Sequence, residues 1–87
     1  MYPISDYTYD RAKQFGLDVF PSTHRGKKID VYKDNEFIHS IGAIGYKDFP
    51  TYVKEEGIEY AKERRRLYHL RHTGDSIGEI LAKLLLW

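Results

Sequence analysis

The chain has 87 residues, enough for one modest hydrophobic core and too few for two. At 41% hydrophobic and 31% charged it has a globular composition, and the lack of cysteine excludes a disulfide framework, a thiol nucleophile and cysteine-ligated zinc. A net charge of +1 does not by itself point to nucleic acid, so that question falls to how charge is distributed along the chain.

Asp6 is placed to cap a helix over residues 6–15, with Gly16 just past its end and Tyr7, Ala12 and Phe15 as packing residues. Leu17, Val19 and Phe20 read as extended up to Pro21, which confines the segment to a sheet edge or a turn. Residues 22–28, STHRGKK, form a polar loop suited equally to solvated turn chemistry and to phosphate contact. The strand signal is clearest over 28–41, with Asp34-Asn35 as a two-residue hairpin turn. In that register Val31 faces Ile38 and Ile29 faces Ser40 on the core side, while Asp30 faces His39 and Tyr32 faces Phe37 on the other. An Asp30/His39 pair reads as a cross-strand ion pair or as a base with its orienter, although no serine or threonine sits in a nucleophile motif.

Gly42 and Gly45 serve tight turning, since neither the dinucleotide fingerprint nor the Walker pattern surrounds them. A helical segment follows over 48–72, with Asp48 as its cap and Pro50 in its first turn. Gly57 either bends this segment into two helices or sits inside one at a cost of about 1 kcal/mol relative to alanine. Within 57–72, GIEYAKERRRLYHLRH, the residues Tyr60, Ala61, Leu67 and Tyr68 share a core side. Lys62, Arg65, His69 and His72 form a narrow cationic stripe turned to water or to a partner. Arg64 and Arg71 fall in the apolar sector, where an arginine lays its stem along the core, pairs with a carboxylate, the terminal carboxylate of Trp87 being one candidate, or contacts a ligand.

After Thr73-Gly74, the run Ser76 to Glu79 is a capping box. It opens an amphipathic helix over 77–86 with Ile77, Ile80, Leu81, Leu84 and Leu85 on one face. The expected fold is α+β: a small antiparallel sheet built on a β-hairpin, with the long basic helix and the C-terminal amphipathic helix packed on it, in a single domain of residues 1–87. Met1-Tyr2-Pro3 opens no signal-peptide pattern, and the apolar run 80–87 is too short to cross a bilayer, so a soluble intracellular protein or a member of a larger assembly is expected, with no membrane partner.

Four segments, PSTHRGKKIDVYKD (21–34), SIGAIGYKDFPTY (40–52), YAKERRRLYHLRH (60–72) and LLW (85–87), together resemble a family of small proteins encoded by nucleocytoplasmic large DNA viruses of algae and amoebae. The likeness covers nearly everything after Phe15, and the first 15 residues carry no match. Between His72 and the closing LLW this chain has the short TGDSIGEILAK, where members of the family often have a longer, more polar segment containing Gly and Tyr. The resemblance implies a viral protein in the interior of an infected host cell or in the virion, and it supplies no reaction.

Two functional readings follow from the residues. In the first, the chain is a nucleic-acid-associated domain in which Arg25, Lys27, Lys28, Lys62, Arg65, Arg66, His69 and His72 contact phosphate while Tyr32 and Tyr46 stack on bases. Glu55, Glu56, Glu59 and Glu63 on the same helical region dilute that field. In the second, the tyrosines and arginines are interface anchors of a structural component of the virion or of a viral protein assembly. Catalysis is not expected, and neither is a cofactor or a metal: His24, His39, His69 and His72 are scattered, and the His69/His72 pair has no third ligand nearby in sequence.

Overall fold

The computed structural model describes residues 2–87, so Met1 lies outside it. The fold is α+β, as expected, with four helices and a three-stranded sheet among the described residues. The elements run α1 (Asp6–Gln14), β1 (Asp18–Pro21), β2 (Lys27–Lys33), β3 (Glu36–Ala43), α2 (Phe49–Glu56), α3 (Ile58–Arg71) and α4 (Ile77–Leu85). The sheet is antiparallel throughout, with β2 in the centre.

Asp34 and Asn35 both take positive φ, 51° and 65°, the conformation of a type I′ hairpin turn whose twist matches that of the flanking strands. Next to the turn, Tyr32 pairs with Phe37 as the alternation predicts. Further along, the register shifts: Val31 pairs with His39, Asp30 with Ser40 and Ile29 with Ile41. Ile38 is therefore the extra residue of a β-bulge. The shift sets Ile41 against Ile29 in the core and turns His39 toward Gly78 of α4. The expected pairings of Val31 with Ile38, Ile29 with Ser40 and Asp30 with His39 are thus all displaced by one residue.

Helices α1 and α4 cover one face of the sheet, and their shared core is Ala12, Val19, Ile29, Val31, Ile41, Leu81, Leu85 and Leu86. Ser5 rather than Asp6 caps α1, its hydroxyl accepting from the Thr8 N–H at 3.2 Å, and Phe15 is exposed instead of packed. Thr8 Oγ1 donates to the Leu85 carbonyl at 2.7 Å, which locks α1 to the end of α4. Ser76 caps α4 as expected, its hydroxyl accepting from the Glu79 N–H, while the Glu79 carboxylate accepts from the Gly74 N–H rather than from that of Ser76. Only the C-terminal half of α4 is well buried, since Ile77 and Ile80 remain 49% and 42% exposed. Gly42 has φ +78°, and a Cβ there would stand 2.9 Å from Leu86 Cδ1, so glycine is what lets the C-terminus close on β3.

Gly57, at φ 94°, divides the basic segment into two helices. Helix α3 packs on α2 and reaches the end of α4 through Tyr68, which stacks on Trp87. Ala61 is its only buried residue. Tyr60 is exposed, while Leu67 and Tyr68 are half-buried, so the expected core side is only partly used. Arginine completes the packing: the Arg65 guanidinium lies 4.2 Å from the Phe49 ring centroid, and that of Arg64 lies 5.6 Å from the Tyr52 ring.

One buried polar knot joins these parts. Asp48 caps α2 by accepting from the Thr51 N–H at 3.1 Å and the Thr51 hydroxyl at 2.6 Å. Its other oxygen accepts from Tyr2 Oη at 2.6 Å and from Lys28 Nζ at 2.9 Å. Burial pushes the Asp48 carboxyl up, but these donors outweigh it and hold the group below the usual carboxylate range.

Candidate functional site

The same knot decides the role of Lys28. Its ammonium is buried against Asp48 and also donates to the Tyr46 carbonyl, so it is not the phosphate contact that the basic loop suggests. Its sequence neighbour Lys27, one residue out of phase on β2, is exposed and opens into a cleft.

The cleft, of about 490 Å³, lies between the ends of β2 and β3, the loop after β3, and the facing sides of α3 and α4. Arg64, Tyr68, Arg71 and His72 reach it because their spacings of four, seven and eight residues from Arg64 put them on one side of α3. Opposite them stands Trp87. Tyr68 stacks on Trp87 with ring centroids 4.3 Å apart and planes 9° from parallel, and His72 stacks on Tyr68 at 4.1 Å and 22°. Tyr52 leans on Trp87 at 6.1 Å and also lies beneath Arg64. Tyr46, 75% exposed, stands at the rim.

Charge in this cleft is unbalanced. Its two lining side-chain carboxylates are committed elsewhere: Asp48 to Lys28, Tyr2 and Thr51, and Glu79 to the Gly74 N–H at 3.2 Å and the Ser76 hydroxyl at 3.4 Å. Among the described residues, neither Arg64 nor Arg71 forms an ion pair, and Arg64 Nε is buried with no hydrogen-bond partner. The carboxylate pairing expected for these two arginines, including one with the end of Trp87, is therefore absent among the described residues. For Arg64 the Tyr52 ring provides the covering that a carboxylate was expected to provide, whereas Arg71 is exposed.

The remaining sequence-predicted residues scatter. Lys62, Arg65, Arg66 and His69 line a shallow depression on the other side of α3. There Arg66 is paired with Glu63 at 2.6 Å, and Arg65 is laid on Phe49. Partial burial, together with the positive charges of Lys83, Arg65 and Arg11, pushes the His69 pKa below its ordinary value, which weakens it as a phosphate contact. Arg25 is exposed in the loop before β2. Tyr32 lies on the open face of the sheet, away from the cleft, in edge contact with Phe20 and Phe37 at 5.5 Å each.

That open face also holds a satisfied carboxylate. Asp30 accepts from Ser22 Oγ at 2.5 Å, Ser40 Oγ at 2.6 Å, His24 Nδ1 at 3.0 Å and the Thr23 N–H at 3.2 Å. Burial pushes its pKa up, and the four donors more than reverse this, leaving it well below the ordinary carboxylate range. The Asp30/His39 pair expected from a regular hairpin is replaced by Asp30/His24, because the bulge takes His39 to the other face.

Tyr52, Tyr68 and Trp87 are cleft residues that the sequence reading did not assign to a site. Their signal was partial: the helical spacing of Arg64, Tyr68 and Arg71 was visible, whereas the approach of Trp87 and Tyr52 depends on the tertiary fold. Among the described residues, no helix is long and apolar enough to cross a membrane. Comparisons with protein-family models, curated proteins and solved structures give no match.

Proposed function

We propose that this protein binds nucleic acid in the cleft between α3 and α4, with Lys27, Arg64 and Arg71 on the phosphates and the aromatic wall against the bases. The observation that carries the reading is the pair of arginines, Arg64 and Arg71, facing a ring-lined cleft whose own carboxylates are engaged elsewhere. A guanidinium offers a planar fork that matches phosphate oxygens, and it keeps its charge at any physiological pH. Beside the arginines, His72, stacked on Tyr68 on one side, has no further ring among the described residues on the other, and that side offers a flat surface to a base. Arg25 and Lys62 add attraction at longer range. Together with the resemblance carried by segments 21–34, 40–52, 60–72 and 85–87, this supports a viral protein working on nucleic acid in the infected cell or in the particle.

A second reading, as a component of the virion or of a viral assembly, draws support from the exposed apolar side chains Leu70, Ile77 and Ile80. Mass spectrometry of purified particles separates the two: high copy number at a capsid position favours the assembly role.

The binding reading makes a direct prediction. Three phosphate contacts give a slope of about −2 to −3 in log K against log salt concentration. Anisotropy of a labelled oligonucleotide, with the fluorescence of the single tryptophan as a second signal from inside the cleft, measures it. Binding indifferent to salt, or no binding to either single strands or duplex, removes the proposal.

A further inference from the structure

The cleft's aromatic wall is ordered enough to say what form of nucleic acid it takes. His72, Tyr68 and Trp87 form a three-ring column in which each ring is nearly parallel to the next. Both faces of Tyr68 are occupied, and Trp87 continues into Tyr52. Among the described residues, no further ring covers the outer side of His72, which lines the cleft beside Arg71. The column thus ends at a flat, half-exposed imidazole with a guanidinium on the adjacent residue.

We infer that the cleft takes a single strand, one of whose bases extends this column at its His72 end while Arg71 holds the neighbouring phosphate. The inference rests on the nucleic-acid reading of the same cleft and adds the form of the ligand to it. A paired base inside a duplex has both faces covered by its neighbours, so it cannot join a protein stack without being unpaired and extruded. An unpaired base has a free face, and stacking on an aromatic side chain accepts any base because each has a π-surface. The preference is therefore for strandedness and not for sequence. Arginine beside the stacked base holds the backbone, and Lys27 on the opposite wall holds the next phosphate.

The test uses the full chain, with fluorescein-labelled oligonucleotides of mixed sequence as the single strand and the same strand annealed to its complement. Wild-type protein is expected to bind the single strand at least about tenfold more tightly than the duplex. His72→Ala is expected to weaken single-strand binding by roughly tenfold and to leave duplex binding unchanged. His72→Phe keeps a ring at the same place without the imidazole nitrogens, and it is expected to retain most of the single-strand affinity. Thermal unfolding of each variant checks that the C-terminal end of α3 remains intact. Equal, salt-dependent binding of the two forms by the wild type overturns this inference while leaving the nucleic-acid reading in place. Loss of affinity in His72→Phe as large as in His72→Ala overturns the stacking role. Absence of binding to both forms overturns the inference together with the reading beneath it.

Discussion

Asp48→Ala is expected to cost about 3–5 kcal/mol of folding stability, a large share of what a domain of this size possesses. The carboxylate is 1% exposed and, among the described residues, is the one anion paired with the buried ammonium of Lys28. Its removal leaves that ammonium with the Tyr46 carbonyl and the face of the Tyr2 ring, a poor exchange for a full opposite charge. It also strips the cap from α2 and the acceptor from the Tyr2 hydroxyl. Urea unfolding followed by circular dichroism measures the loss. Lys28→Met combined with Asp48→Asn removes the charge while keeping an acceptor for Thr51, so the double variant is expected to recover much of the stability. A loss below about 1 kcal/mol in Asp48→Ala would show that the knot is not what fastens β2 to α2.

The second large effect is on the acid limb of stability. Asp30 has a depressed pKa in the folded state, so its contribution is complete above the ordinary carboxylate value and drains away as pH falls toward the folded value. The window opens at about pH 5 and extends downward. Asp30→Asn cannot titrate and cannot accept from four donors as an anion does. It is expected to be about 2 kcal/mol less stable than wild type near neutral pH, with the gap closing as pH falls through 4 and below. Asp48 titrates over the same range in both proteins, so the difference between the two curves isolates Asp30. A gap that stays constant down to pH 3 contradicts the hydrogen-bonded cage around this carboxylate.

Local signals in the sequence carried the hairpin turn, the cap of α4 and the amphipathic face of its second half. Asp34-Asn35 tolerates positive φ at both positions, and Ser76 with Glu79 satisfies donors that need no distant partner. The bulge was not legible, because Ile38 and Ile41 are both apolar and a strand can be kept half-buried in either register. Missing it reassigned His39 and hid the partnership of His24 with Asp30. The angular reading of α3 placed Arg64, Tyr68 and Arg71 together, but it put His72 on the outward stripe, whereas this residue leaves the helical path as the cap of α3 and lines the cleft. It did not yield the cleft, because the rings opposite them come from α2 and the chain's end. Their approach depends on how Gly57 and Gly42 let the chain fold back. Capping likewise decided which carboxylates remained free for the arginines, and Glu79 was taken by the loop that it closes.

On the binding proposal, the cations that hold phosphate face inward across the α3/α4 cleft rather than outward along the helix. Two double variants, matched in charge, address it: Arg64→Gln with Arg71→Gln in the cleft, and Lys62→Gln with Arg66→Gln on the outer side. Each is titrated with a labelled oligonucleotide at low salt, after thermal unfolding confirms the fold. The cleft pair is expected to lose roughly a hundredfold in affinity, since each arginine supplies a charge-assisted hydrogen bond, while the outer pair stays within about threefold of wild type. Equal losses from both pairs, or a larger loss from the outer one, would contradict the assignment of the cleft.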